Sequence, residues 1–305
     1  MLCELHALGG SLVTTWALLS VLGVLAVAFF SGSVFLAYYV RPTFEQWQRK
    51  INPAFPPAEA VRDEVLQTLK GLLTATVCPA LSLYLAAHGR SKAYCGVSAE
   101  HGLAAQFAAF LAIWVVSDCY EWGYHYLGHR FAVLWDQHRS HHVFYNPSPF
   151  AVIADDMFDQ FVRSAPLLLF PLALPVNIDV LFFTFTLLFY GYGTTLHWGF
   201  ESTYLSAHNS IVNGSYEHYY HHAKATLRTG PIYTGFFFKI WDSLAGSVPP
   251  AGTPCICSRC EVARGKRTRA AWEALPKPDY SPLLAPSFWL AAFSGAPAGG
   301  SKRVD

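Results

Sequence analysis

The sequence predicts an all-α integral membrane protein, with about four transmembrane helices and a cytosolic, histidine-rich helical cap that holds a two-metal centre. Three observations carry this. The 305-residue chain is 53% hydrophobic and 16% aromatic with a mean hydropathy of +0.27, above the roughly 45–50% apolar usage of soluble domains, a count that includes glycine. Charged residues are sparse, at 13%, and long apolar runs separate them. Ten of the thirteen histidines fall between His125 and His222, eight of them in three tight clusters.

Residues 11–40 carry no charge and exceed the about 20 apolar residues that cross a bilayer. The preceding MLCELH lacks a basic residue, so this segment is expected to be a retained anchor and not a cleaved signal peptide. The shorter apolar runs 71–87 and 102–117 fit thin spans or a hairpin partly buried in protein. In residues 165–196, Pro166, Pro171 and Pro175 break the first half, and Asn177 and Asp179 interrupt the middle. One span plus an oblique or re-entrant piece, or a tight two-helix hairpin, both fit. Residues 281–293 are too short and proline-broken to span, and are at most interfacial. Arg41, Arg49, Lys50, Arg62 and Lys70 precede the second run, whereas the loop 88–101 holds only Arg90 and Lys92. The positive-inside rule puts the first stretch in the cytosol, and the N-terminus and second stretch in the lumen. The third span then returns the chain to the cytosol near Asp118, and all histidine clusters face one compartment. The expected organisation is membrane helices over 1–117, a catalytic domain over 118–250 and a polar, flexible tail over 251–305.

Positions i, i+3 and i+4 share one helix face. His125 and His129 form H-x-x-x-H, with Glu121 one turn earlier. His138, His141 and His142 form H-x-x-H-H, and His218, His221 and His222 repeat it. Neutral imidazole suits iron, zinc and copper. Three clusters plus the isolated His197 supply enough nitrogen for two metals, and oxygen chemistry favours redox-active iron over zinc. His208 stands alone in a polar segment as a possible additional ligand. Asp118, Glu121, Asp136, Asp155, Asp156, Asp159, Glu201, Glu217 and Asp242 are candidate carboxylates for orienting the ligands, with Asp118, Glu121, Asp156 and Glu201 foremost. His6, His88 and His101 lie outside the pattern and are expected to be ordinary interface residues.

A net charge of +1 makes no case for nucleic acid. The chain has no G-x-G-x-x-G and no haem motif, so it is expected to carry neither nicotinamide nor haem. Cys3, Cys78, Cys95 and Cys119 show no disulfide or metal framework, which suggests a reducing setting. Cys255, Cys257 and Cys260 form C-x-C-x-x-C, which holds zinc only with a fourth ligand; the tail is expected to be reduced and flexible, its basic residues near anionic lipid. Lys302 and Arg303 faintly resemble a dilysine retrieval signal.

The order of clusters from Asp118 to Ser247 resembles the fatty acid hydroxylase and sterol desaturase superfamily of membrane non-haem di-iron oxygenases, and most closely its Δ7-sterol 5-desaturase (lathosterol oxidase) branch. His141-His142 followed by Pro147-Ser148-Pro149-Phe150-Ala151 is similar to that branch's HH-x4-P-T/S-P-F-A. Asn213-Gly214-Ser215 stands before His218 as in an I-N-G-S segment, and Phe238 to Ser247 looks like F-x-x-W-D-x-x-G-S/T. The sequence departs from the pattern at several points. Tyr126 follows His125 where the family reads H-R-x-x-H. Trp198-Gly199 follows His197 in place of D-G. Asp156 stands at or near a family histidine, either as a carboxylate ligand or leaving one ligand fewer. Arg228-Thr-Gly-Pro231 replaces an Asn-Tyr-Gly piece.

The resemblance implies an O2-dependent enzyme with two iron ions, held by His125, His129, His138, His141, His142, His197, His218, His221 and His222, with no catalytic residue distinct from the ligands. It implies C5(6) desaturation of a Δ7-sterol in the endoplasmic reticulum membrane, with electrons from NAD(P)H through a reductase and a b-type cytochrome. A hydroxylase or methyl oxidase of a sterol or fatty-acyl lipid is the alternative, and a non-catalytic protein with structural zinc a third reading. Phe182, Phe183, Phe185, Phe189, Tyr190 and Tyr192 are candidate tunnel residues.

Overall fold

The computed structural model describes residues 10–98 and 100–293; His6, Cys3 and the Lys302-Arg303 pair lie outside them. The first helix, α1 (Leu12–Phe35), starts where Ser11 and Thr14 cap each other, with backbone-to-hydroxyl distances of 3.2 and 3.1 Å. A π-helical turn carries it on to Val40. Helices α2 (Ala58–Ala75) and α3 (Val77–Ala87) meet at Thr76, where the Thr76 and Ser20 hydroxyls join at 2.9 Å and tie the joint to α1. Helix α4 (Leu103–Gly128) runs 26 residues, roughly 39 Å at 1.5 Å per residue. The short α5 (Ala132–His138), α6 (Met157–Arg163) and α7 (Pro166–Ala173) follow, then α8 (Ile178–Thr184), a π-helical stretch Phe185–Gly191 and α9 (Tyr192–His197). Five more follow: α10 (Ser215–Lys224), α11 (Ile240–Ala245), α12 (Ser258–Ala263), α13 (Arg269–Glu273) and α14 (Pro286–Leu290), the last flanked by 3-10 turns at Ser281–Leu284 and Ala291–Phe293.

Among the described residues, four helical stretches are long and apolar enough to cross a membrane: Leu12–Val40, Ala58–Ala87, Leu103–Gly128 and Ile178–His197. Their outward faces carry exposed Val21, Leu25, Phe29, Leu103, Phe107 and Leu111, while α4 turns Gln106, Ser117, Asp118, Glu121 and His125 inward. Polar inside and apolar outside is the arrangement lipid demands, because a polar group in hydrocarbon needs a protein partner.

The second and third spans are longer than their apolar runs, because inward positions of a bundle admit polar residues. Glu64 on α2, for example, accepts the Ser148 amide at 3.0 Å. The fourth region combines both expected alternatives. A descending arm, α6 and α7, is broken at Pro166, and an ascending helical arm ends at His197. The arms turn where β2 (Val176–Asn177) pairs in parallel with β1 (Ala93–Tyr94). That turn lies at the start of α4, opposite the histidines.

Two expectations are corrected. Cys95, in that same loop, is disulfide-bonded, whereas no disulfide framework was read from the cysteine spacing. The segment after Pro249 is ordered as far as Phe293: Cys257 and Tyr280 are buried, Trp272 and Phe288 pack on the cluster around Trp47 and Phe55, and the Tyr280 hydroxyl donates to the Pro56 carbonyl at 2.7 Å. Scattered anchors of this kind leave no periodicity to read. His88 and His101 are local, the first 2.8 Å from the Tyr84 carbonyl and the second stacked on Tyr94.

Candidate metal centre

All nine histidines expected as ligands converge where the upper ends of α4, α5, α9 and α10 meet. They form two groups: His125, His129, His138, His142 and His221, and His141, His197, His218 and His222, each with its ligand nitrogens within 4.8 Å of one another. All nine are buried. Each H-x-x-H-H triplet is split between groups. On α10, His218 and His222 stay together, about 40° apart around the helix, while His221 faces about 100° away from His222 and joins the other group; His138, His141 and His142 divide in the same order, the latter two in the turn after α5. Close packing brings the bearing elements together: a Cβ added to Gly193 on α9 would lie 2.5 Å from Val152 Cγ2.

The nitrogens are aimed by their second ring atoms. Nδ1 of His125, His197 and His221 lies 2.9, 2.9 and 2.7 Å from the carbonyls of Thr234, Gly193 and Ile232. A carbonyl only accepts, so Nδ1 carries the proton and Nε2 is left as a bare lone pair. His138 Nδ1 lies 3.0 Å from Asp159 Oδ2, and His141 Nδ1 lies 3.2 Å from Asp155 Oδ1. Nε2 atoms then face one another, at 2.8 Å for His218–His197, 3.1 Å for His222–His218, His221–His142 and His142–His138, and 3.3 Å for His197–His141. With metal–nitrogen bonds of about 2.0–2.1 Å, adjacent ligand nitrogens stand about 2.9 Å apart at right angles and about 3.4 Å apart at tetrahedral angles. Nε2 of His125 and both nitrogens of His129 are buried without a hydrogen-bond partner, an arrangement that costs about 1–3 kcal/mol per group and that a cation relieves. The donor set therefore fits metal.

Electrostatics agrees. Burial first, and neighbouring imidazoles second, hold His141, His142, His218 and His221 far below the ordinary histidine value, and bring His129 down to about 2. These rings are neutral at physiological pH, the form that binds metal.

The candidate carboxylates divide between facing the histidines and fixing the surrounding backbone. Asp156 caps α6 by accepting the Phe158 amide at 2.9 Å; its neighbour Asp155, with Asp159, faces the histidines. Glu121 pairs with Arg163, which also lies 3.6 Å from Asp159. Asp118 accepts the amides of Phe237 and Phe238 and the Trp241 indole at 2.7, 3.1 and 2.7 Å. Glu201 receives the amide and hydroxyl of Ser258 at 3.1 and 2.7 Å. His208 lies beside cysteines, outside both histidine groups.

The loop 232–242 is organised by Asp242, one of the candidate carboxylates. Asp242 accepts from Thr234 N, Gly235 N and Ser247 Oγ at 3.1, 2.7 and 2.6 Å. Together with Asp118 it fixes the loop whose Ile232 and Thr234 carbonyls orient His221 and His125. The W-D-x-x-x-G-S run, Trp241 to Ser247, was the available signal. Glu217, three residues into α10, accepts the Gly214 amide at 2.9 Å and pairs with Lys239 at 2.5 Å, seating the helix that carries three histidines.

Below the histidines, an apolar cavity of about 570 Å³ opens between α1, α2, α4 and α8, lined by Phe182, Phe183, Phe185, Phe189 and Tyr190, with the polar Glu121, Gln160 and Arg163 also in its wall. Tyr192 is not part of its wall; its hydroxyl donates to the Asn213 carbonyl.

Residues 110–247 match the fatty acid hydroxylase family. The chain is 26% identical over 227 residues to a Delta(7)-sterol 5(6)-desaturase of Gibberella zeae, covering 73% of this chain and 61% of the relative. It is 28% identical over 188 residues to an enzyme of the same name from Aspergillus fumigatus, covering 60% and 49%. It is 25% identical over 188 residues to human lathosterol oxidase, covering 61% and 60%. In each case the match spans less than two thirds of the relative's own length. No solved structure matches. With its histidines gathered at one end of four apolar helices, this chain is similar over residues 110–247 to the fatty acid hydroxylase family.

Proposed function

We propose that this chain is an O2-dependent membrane oxidoreductase that introduces the C5(6) double bond into a Δ7-sterol, with one iron ion held by His125, His129, His138, His142 and His221 and a second by His141, His197, His218 and His222. The observation that carries the reading is the facing of bare Nε2 lone pairs inside two buried groups. Bound iron supplies the activation of dioxygen that removing hydrogen from an unactivated carbon requires. The chain's own residues do the rest. Carbonyls of Gly193, Ile232 and Thr234, and the carboxylate of Asp159, hold the rings in one tautomer. The apolar cavity, within the roughly 300–1,000 Å³ of small-molecule sites, takes a lipid from the bilayer and fixes which carbon meets the centre. Positioning of the second hydrogen decides between alkene and alcohol.

Electrons are proposed to come from NAD(P)H through a reductase and a b-type cytochrome, and the enzyme to reside in the endoplasmic reticulum with its histidines on the cytosolic side. The basic residues between the first and second spans support that orientation, as does the disulfide-bonded Cys95 in the loop at the far end of α4, since disulfides persist in oxidising compartments.

The test is expression in cells lacking their own Δ7-sterol 5-desaturase, with sterols read by mass spectrometry and a His141→Ala variant alongside. A 5,7-diene formed only by the intact protein supports the proposal. An alcohol in its place moves the reading to the hydroxylase chemistry of the same family. No sterol or acyl-lipid product from folded, iron-loaded protein overturns it.

A further inference from the structure

The cysteine-rich run after Pro249 closes on a histidine that the main centre does not use. His208 Nε2 lies 3.8, 3.4 and 3.6 Å from the sulfurs of Cys255, Cys257 and Cys260. All four donor atoms lie within 4.8 Å of one another, and the three thiols are free. Tetrahedral zinc has Zn–S near 2.3 Å and Zn–N near 2.0–2.1 Å, which places a nitrogen about 3.6 Å from each sulfur. The observed separations bracket that edge length before any ion is placed.

We propose that His208, Cys255, Cys257 and Cys260 bind one Zn2+ as a structural Cys3His site, separate from the histidine centre. Thiolates are soft donors and select zinc over the harder cations. A site whose four positions are all protein ligands is closed, as structural zinc sites are. Three thiolates and Zn2+ leave one net negative charge. The first turn of α12, which begins just after Cys257, and Arg264, whose guanidinium donates to the Cys255 carbonyl at 2.7 Å, lie beside it. Glu201 clamps the same point from the other side through Ser258. The fully buried Cys257 packs with Tyr216 and Tyr220, which stand on the helix that bears His218, His221 and His222. The ion thus ties the C-terminal segment to the loop that joins His197 to His218, and holds both ends of that loop in register.

The experiment uses the full chain purified in detergent, with zinc and iron measured per chain and cobalt substituted for zinc. The expected result is one zinc per chain in the wild type and a near-ultraviolet thiolate-to-cobalt charge-transfer band, which nitrogen ligands do not produce. Zinc is lost in Cys257→Ser/Cys260→Ser and in His208→Ala, and is kept in His208→Cys, because four-cysteine sites are equally tetrahedral. Iron bound at the histidines is a separate readout, so failure of the catalytic proposal leaves this one testable. Should the serine variants not fold, the wild type decides alone: its three thiols resist alkylation until a chelator is added. Free alkylation of folded wild type, absence of the charge-transfer band, or equal zinc in wild type and the serine variant overturns the site.

Discussion

The histidine centre and the Cys255–Cys257–Cys260–His208 cluster are both built from closely spaced donors, yet they are held differently. Several imidazoles at the first reach outward through Nδ1 to a carbonyl or carboxylate on another element, so each is aimed by a partner the ion never touches. Thiolates have no second donor. Their cluster is instead fixed by burial of Cys257 and by a single carboxylate, Glu201, on the backbone beside it. The comparison teaches that a histidine site depends on a wide surrounding network, whereas a thiolate site depends mainly on where the chain places its sulfurs.

The largest effect is expected from His218→Ala. It removes the nitrogen that lies 2.8 Å from His197 and 3.1 Å from His222. Metal at that group and product formation should both disappear in metal analysis and lipid profiling, while metal at the cysteine cluster persists; joint loss would break the distinction. Acid comes next. An unfolded histidine takes up a proton as pH falls through its ordinary 6.5, whereas folded His129 resists until about 2. The unfolded chain then binds more protons, so stability falls with pH from about 6.5 downward, by about 1.4 kcal/mol per unit for each such residue. Metal release and a falling melting temperature below pH 6.5, in a titration from neutral pH, check the sign.

Asp159→Asn tests the surrounding network itself. Loss of an outer carboxylate on a ligand histidine lowers metal affinity about 10–100-fold, and competition with a chelator measures it; unchanged affinity would mean that His138 needs no such support. Ala26→Trp fills the apolar cavity away from the histidines, so turnover should drop several-fold at unchanged metal content. The smallest effect is Tyr280→Phe, which deletes the 2.7 Å hydrogen bond to Pro56. About 1 kcal/mol of stability should be lost in denaturant titration, with activity and both metals retained.

Much of the site was legible because it repeats. H-x-x-H-H occurs twice near the ends of apolar runs, and helical spacing made each triplet compact before any tertiary contact. Asp155 was harder to choose, because it stands next to Asp156 with the same chemistry and only the start of α6 decides which carboxylate caps the helix and which turns inward. The boundary of the second span was shifted by Arg62 and Glu64, which hydropathy counts against a helix and which a bundle interior accepts.

The sequence by itself determined that the chain is helical and apolar, that His125 to His222 concentrate metal-binding nitrogen, and that the cysteines after Pro249 lack a fourth ligand of their own. These are local properties, set by side-chain chemistry and by 3.6 residues per turn. Only the tertiary structure decided that the histidines divide five and four, that the Ile232 and Thr234 carbonyls aim two of them, and that His208, 47 residues before Cys255, completes the thiol cluster. Each of those depends on how distant elements cross, and no spacing along the chain encodes a crossing.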